Sequence, residues 1–319
     1  MFTKILATLG TAALATSIAV AEPPEGKGKP DKGGEGDPPG AIEVGFTWID
    51  RKAGDLFGLS ASNGTNYQFV KEGSQVSYFS LEDIGSASSG NRAILNDFGT
   101  LHLVDWTFNA SGGVTGVGSS VIHQRGAEGG ASCARFSHDG SKIYYTTIGT
   151  TLWSKPTADL QAAPTSEYVL ADDERFVLCS PDVDGSVVAA IVTVGAEGQH
   201  ESYRLSDFSL GLGGQEVPIV ADDPGLIIVS VDVGPQGSLS YSYRAGGVYE
   251  NETAYEVGGQ TRILQNAASA RYDCDEGRLL YQSRHPKNGA RNWLIRDLDT
   301  GLTSDFPERS NTRRADWYC

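Results

Sequence analysis

Two stretches of this 319-residue chain repeat one pattern. Ala134-Arg135-Phe136-Ser137-His138-Asp139-Gly140 leads into Ser141-Lys142-Ile143-Tyr144-Tyr145. Much later, Ala270-Arg271-Tyr272-Asp273-Cys274-Asp275-Glu276-Gly277 leads into Arg278-Leu279-Leu280-Tyr281. The two alanines stand 136 residues apart, close to three periods of about 45. A strand, a tight turn and a second strand recurring at that period is the sequence mark of a β-propeller, in which each repeat is one sheet that buries its faces against its neighbours.

Counting supports this. Glycines at turn positions recur at 54, 99, 140, 185, 237 and 277, spaced 45, 41, 45, 52 and 40 residues apart. Two positions further on stand Leu56, Leu101, Lys142, Val187, Leu239 and Leu279. Four positions on stand Gly58, Leu103, Tyr144, Ala189, Tyr241 and Tyr281. That is the alternation that puts side chains on one face of a strand. Asp139-Gly140 and Asp184-Gly185 are strong turn dipeptides. Beyond the N-terminus no run carries apolar residues at helical spacing. The expected class is therefore all-β, a six-bladed β-propeller, with five or seven blades left open.

At these residues the chain resembles a known family. Phe136-Ser137-His138-Asp139-Gly140-Ser141-Lys142-Ile143-Tyr144-Tyr145 is similar to the repeat of TolB-type, WD40-like propellers. Ser180-Pro181-Asp182 with Asp184-Gly185, and Asn292 through Gly301, resemble further parts of that repeat. The resemblance covers roughly 131–319. It implies the propeller fold and a habit of binding other macromolecules. The α/β domain that precedes the propeller in TolB has no counterpart here, so the family's role in the Tol–Pal system is not carried over.

The N-terminus reads as an address. Lys4 precedes an apolar and small-residue run from Ile5 to Val20, and Ala19-Val20-Ala21 fits the signal-peptidase rule. The run is short and broken by Thr8, Thr11, Thr16 and Ser17, which disfavours a membrane anchor. The expected division is a signal peptide at 1–21, a disordered Gly/Pro/charged linker at 22–40, and the propeller at 41–319. The expected location is the periplasm or the medium, with no transmembrane segment in the mature form. The net charge of −15 repels phosphate backbones, so nucleic acid is a poor partner.

Four cysteines, Cys133, Cys179, Cys274 and Cys319, read as disulfides in an exported chain. Three pairings are open. Spacings of 46 and 45 residues favour Cys133–Cys179 and Cys274–Cys319, each joining adjacent blades. Arg314 to Cys319 looks like the opening strand of one more repeat, cut short. The expectation is that it completes blade one, with Cys274–Cys319 clamping the closure, because an open seam would leave strand edges exposed.

Chemistry is harder to find. No G-x-S-x-G elbow occurs, and His102, His123, His138, His200 and His285 lack metal-ligand spacing. Asp172-Asp173-Glu174 and Asp222-Asp223 do not match a Ca²⁺ loop. Trp48, Trp106, Trp153 and Trp293 read as packing residues. No catalytic, metal or cofactor residues are assigned. The expectation is a monomeric, exported, non-enzymatic propeller that binds a protein or peptide. The alternative is a metal-dependent hydrolase or lyase acting on a small molecule or saccharide in the central channel.

Overall fold

The computed structural model describes the backbone over 45–50, 56–61, 66–70 and 81–86. From residue 91 it describes all but 98, 109–113, 127–128, 148, 210–212, 220–224, 246–249, 285–290, 307–311 and 319. All of these belong to the unit Pro38–Cys319. The expected signal peptide and linker lie outside them.

The described strands form six four-stranded antiparallel sheets. Blade two holds β4 (Leu81–Ser86), β5 (Arg92–Asp97), β6 (Thr100–Phe108) and β7 (Val114–His123). Blade three holds β8 (Ala131–Phe136), β9 (Lys142–Thr147), β10 (Thr151–Pro156) and β11 (Thr165–Val169). Blade four runs through β12 (Glu174–Pro181), β13 (Val187–Val194), β14 (His200–Ser209) and β15 (Gly213–Val217). Blade five has β16 (Ile227–Val233), β17 (Leu239–Arg244), β18 (Glu252–Val257) and β19 (Gln260–Gln265). Blade six has β20 (Ala267–Tyr272), β21 (Arg278–Arg284), β22 (Arg291–Asp297) and β23 (Thr303–Asp305).

Blade one is assembled from both ends of the sequence. Its order is β24 (Thr312–Tyr318), β1 (Gly45–Asp50), β2 (Leu56–Ala61), β3 (Asn66–Val70). The C-terminal strand pairs with the N-terminal one from Gly45↔Tyr318 to Asp50↔Thr312. The C-terminal segment therefore completes blade one as its sequence pattern requires. The leading strands β24, β4, β8, β12, β16 and β20 touch in a closed circuit, so they form the inner wall of a propeller.

In blade four both faces of the sheet are covered, which is why its second strand reads as a continuous apolar run. In β13 the six residues from Val187 to Val192 are all buried. The core lies between blades. Ile94 and Leu101 of blade two pack with Ala134 and Ile143 of blade three. Phe176 and Ala189 of blade four pack with Tyr144 of blade three, and Val188 and Leu205 of blade four with Ile228 and Tyr241 of blade five. Tyr255 of blade five packs with Tyr272 and Leu279 of blade six. A polar rung crosses blade five, where Ser230 Oγ, Ser242 Oγ and Thr253 Oγ1 are linked at 2.7 Å and Thr253 donates to Ala267 O at 2.9 Å in the next blade.

The phase of the repeat differs from the glycine count in two places. Gly140, Gly185 and Gly237 do close the turns between first and second strands, with positive φ of 67°, 87° and 89°. Gly99 instead lies between β5 and β6, the second and third strands of blade two, and the stretch containing Gly54 likewise joins β1 to β2. In blade six the left-handed position falls on Glu276 (φ 54°). Its N–H reaches Asp273 O just as Gly140 N reaches Ser137 O. The true equivalent of the turn glycine there is a glutamate, one residue before Gly277. One anchor still falls in each sheet, so the count survives these shifts.

Candidate functional site

The inner strands align by their last cross-strand pair before the turn: Phe136↔Ile143, Pro181↔Val187, Val233↔Leu239 and Tyr272↔Leu279. In blade one the sequence match of Ala315-Asp316-Trp317 to Ala270-Arg271-Tyr272 gives this place to Trp317↔Phe46, one pair before Tyr318↔Gly45. The residues immediately before these are then equivalent: Arg135, Ser180, Asp232, Arg271 and Asp316. A period-2 strand turns this position toward one neighbouring blade and the next residue toward the other.

Four of these five positions converge around a cavity of about 260 Å³. Arg135, Ser180, Asp232 and Asp316 line it, with an apolar and aromatic collar from Phe136, Pro181, Val233, Tyr272 and Trp317. Turn residues including His138, Pro235 and Cys274 complete the rim.

Two of these side chains, Ser180 and Asp232, reach one blade onward. Ser180 Oγ accepts from Val233 N at 2.9 Å, and Asp232 Oδ2 accepts from Tyr272 N at 3.0 Å. Trp317 Nε1 donates to Arg271 O at 3.1 Å. The arginines spend donors on backbone carbonyls. Arg135 Nη1 donates to Ala134 O at 2.9 Å, and Arg271 Nη1 to Ala270 O at 3.0 Å and Val231 O at 3.2 Å. Arg271 Nε stands 3.8 Å from Asp232 Oδ1, with both side chains nearly buried.

Burial pushes the Asp232 carboxyl up to about 7, and Asp316 adds to the rise. Arg271, the Tyr272 N–H and Arg135 oppose it without cancelling it. Burial likewise raises the Tyr272 hydroxyl far above its ordinary value. Asp273 differs from its neighbours in being fully engaged. Its Oδ1 accepts from Gly277 N and Arg278 N, and its Oδ2 accepts from Arg278 Nε at 2.7 Å. The same Arg278 guanidinium lies 4.8 Å over the Trp317 ring.

Cys133 and Cys179 form a disulfide between β8 and β12. Their separation of 46 residues is the repeat plus one. The extra residue puts Cys179 on the opposite parity from the position equivalent to Cys133, so the two short side chains face each other across the blade interface. Cys274 is also disulfide-bonded and sits on the cavity rim; Cys319 lies outside the described residues.

The histidines do not converge. His102 is on β6, His123 ends β7 and His200 begins β14, while His138 binds Pro181 O at 3.0 Å across a blade joint. His285 and Asp222-Asp223 lie outside the described residues. Glu174 of the other acidic run pairs with Arg204 at 2.6 Å. No trio of His, Cys, Asp or Glu suited to a metal occurs among the described residues. Trp106, Trp153 and Trp293 occupy third strands, with Trp106 and Trp293 buried as packing residues; the side chain of Trp48 lies outside the described residues.

No family model matches the chain, and no curated protein matches it. Among solved structures, a chain of a nidogen/laminin complex is similar, with a TM-score of 0.57 at 10% identity, covering 86% of this chain and 98% of that one. Weaker likenesses, both at a TM-score of 0.44, are to hydrazine synthase of Kuenenia stuttgartiensis and oligogalacturonate lyase of Vibrio parahaemolyticus. The first has 15% identity and covers 75% of this chain and 70% of that one; the second has 8%, covering 83% and 85%. At these identities the likeness defines a class by fold alone: the chain is a β-propeller.

Proposed function

We propose that this chain is an exported, TolB-like propeller of the bacterial envelope or medium. It binds a protein or peptide partner, and the charged channel mouth is its seat. The observation that carries this reading is the mouth itself. Five blades bring side chains there, and the cavity of about 260 Å³ is smaller than the range of roughly 300–1,000 Å³ typical of pockets that engulf a whole small ligand. A cavity of that size holds one projecting side chain of a partner that rests on the rim. The disulfide Cys133–Cys179 supports export to an oxidising compartment, and a Cys274–Cys319 bond beside the seam of blade one belongs to the same reading.

The test is site-specific photo-crosslinking in the source bacterium. A crosslinker at Pro235, on the rim, should yield a discrete protein adduct. One at Ile263, on the outer strand of blade five, should not. Recovery of a bound saccharide with no adduct at Pro235 would defeat the proposal.

A second reading rests on Asp232, whose carboxyl near 7 beside Asp316 is suited to proton transfer. It makes the mouth a hydrolase or lyase centre for a small molecule or saccharide. Metal analysis of the purified protein, together with turnover by Asp232→Ala and Asp316→Ala variants, separates it from the first.

A further inference from the structure

We propose that Cys274 and Cys319 form a thiol-responsive clasp on the wall of the channel mouth, which a reducing dithiol opens while Cys133–Cys179 stays closed. This rests on the reading of the mouth as a seat and adds its regulation.

Of the four cysteines, Cys133 and Cys179 are bonded to each other and Cys274 is also disulfide-bonded, which leaves Cys319 as its partner. The two bonds differ in surroundings. Cys133 and Cys179 are 3% and 1% exposed, enclosed with Tyr144, Leu152, Leu170 and Phe176 between blades three and four. Cys274 is only partly buried and lies on the cavity rim, in the turn that joins β20 to β21. Exchange requires a thiolate to reach a disulfide sulfur, so access decides which bond is attacked. The attacking thiolate bonds to one sulfur as the S–S bond breaks, and the other sulfur leaves as a thiolate. The second thiolate of the dithiol then displaces the first sulfur. The chain gains two electrons and two protons as two thiols, and the dithiol becomes a disulfide.

The position of the bond links it to the mouth. Cys319 follows Tyr318, the end of β24, and Asp316 and Trp317 just before it line the cavity. The turn that carries Cys274 is fixed without the bond. Asp273 Oδ1 accepts from Gly277 N and Arg278 N there, and Glu276 Oε1 accepts from Gln236 N of blade five. The bond therefore anchors the end of β24 to an independently held turn of blade six. Opening it leaves Trp317 facing blade six through noncovalent contacts, its Nε1 donating to Arg271 O and its ring lying under the Arg278 guanidinium. The wall of the seat is then free to loosen.

The experiment treats the folded, full mature chain with dithiothreitol for increasing times, traps thiols with iodoacetamide and follows each cysteine by mass spectrometry. Cys274 and Cys319 should be trapped together, about tenfold or more faster than Cys133 and Cys179. Once they are open, the indole N–H of Trp317 should exchange with deuterium about tenfold faster, while that of Trp106, buried in blade two, keeps its rate. A chain with Cys274→Ser and Cys319→Ser should show the faster Trp317 exchange without reductant and a weaker Pro235 adduct. If that chain fails to fold, the wild-type time course decides. Equal trapping rates, earlier opening of Cys133–Cys179, or Trp317 exchange unchanged after Cys274 is trapped would overturn the clasp. An undiminished Pro235 adduct in the double variant would overturn its control of the seat and leave the seat standing. No adduct in the oxidised wild type would defeat the seat, while the cysteine and Trp317 readouts still decide the clasp.

Discussion

The joint between blades three and four and the joint between blades five and six hold equivalent inner strands together with different chemistry. At the first, β8 and β12 are bonded through Cys133–Cys179. At the second, β16 and β20 are joined by the Asp232–Arg271 contact and by Asp232 accepting from Tyr272 N, and the turns that follow them by Glu276 accepting from Gln236 N. A covalent joint responds to oxidation state and ignores protonation. A buried ionic joint responds to pH and ignores thiols. These two joints flank the candidate seat, and they can be broken separately.

The largest effect should come from the covalent joint. Replacing Cys133 and Cys179 together by Ala opens a loop of 46 residues, which costs about 4 kcal/mol of stability on the chain-entropy account. Urea unfolding should show the same loss at about pH 5 and pH 8, since no titrating group is removed. A loss confined to one pH would mean that the two joints are coupled.

Next comes the ionic joint. Arg271→Met strands the buried Asp232 carboxylate and should cost about 3 kcal/mol at about pH 8. At about pH 5 the loss should shrink, because the stranded carboxyl is then protonated. The wild-type chain already carries the corresponding slope. Its Asp232 carboxyl lies near 7 when folded, against 3.8 ordinarily, so the folded state holds the proton more tightly. The stability this confers is full below about pH 4 and is lost as pH rises through about 7. Asp232→Asn should flatten that slope in a series of urea titrations. A slope that persists would assign it to another group.

The two joints were unequally legible in the sequence. Cys133–Cys179 could be read from spacing, because an even number of cysteines in a chain expected to be exported is a strong signal and the blade period supplies the geometry. Closure by β24 was legible too, since Ala315-Asp316-Trp317 repeats Ala270-Arg271-Tyr272. The ionic joint and the mouth were missed, although the same alignment contained them. A charged residue one place before the aromatic end of an apolar inner strand recurs as Arg135, Arg271 and Asp316. Taken singly each looks like a surface charge; only stacking the repeats by strand end places them on one circle. Asp232 escaped even that, because Val233 replaces the aromatic. The turn of blade six was anchored on Gly277 because glycine is expected at positive φ. Glu276 holds that conformation instead, for a reason visible only across the blade joint.

Tyr272 tests the hydrogen-bonded part of the second joint without touching its charges. Its hydroxyl accepts from Glu256 N at 2.8 Å and has Leu239 O and Glu256 O within reach as acceptors. Tyr272→Phe leaves a partly buried N–H without this partner and should cost about 2 kcal/mol. Calorimetric unfolding should find that loss unchanged across the pH range in which Arg271→Met varies. A loss that follows pH would place the hydroxyl in the electrostatic network.

Glu276 carries the smallest effect and the sharpest contrast between contacts and backbone. Its Oε1 accepts from Gln236 N at 2.6 Å and from Ser238 N at 3.3 Å, drawing the turn of blade six onto that of blade five. Gly234 leaves the room: a Cβ there would lie 2.3 Å from that oxygen, so both partners are specified together. The glutamate keeps these bonds in a left-handed conformation, φ 54°, that a side chain ordinarily avoids. Glu276→Ala loses the bonds and retains the strain, and should cost about 1 kcal/mol. Glu276→Gly loses the same bonds but removes the strain, so its unfolding midpoint should lie closer to wild type than that of the alanine variant. If glycine proves worse than alanine, the freedom that glycine adds to the unfolded chain outweighs the strain it relieves in this turn.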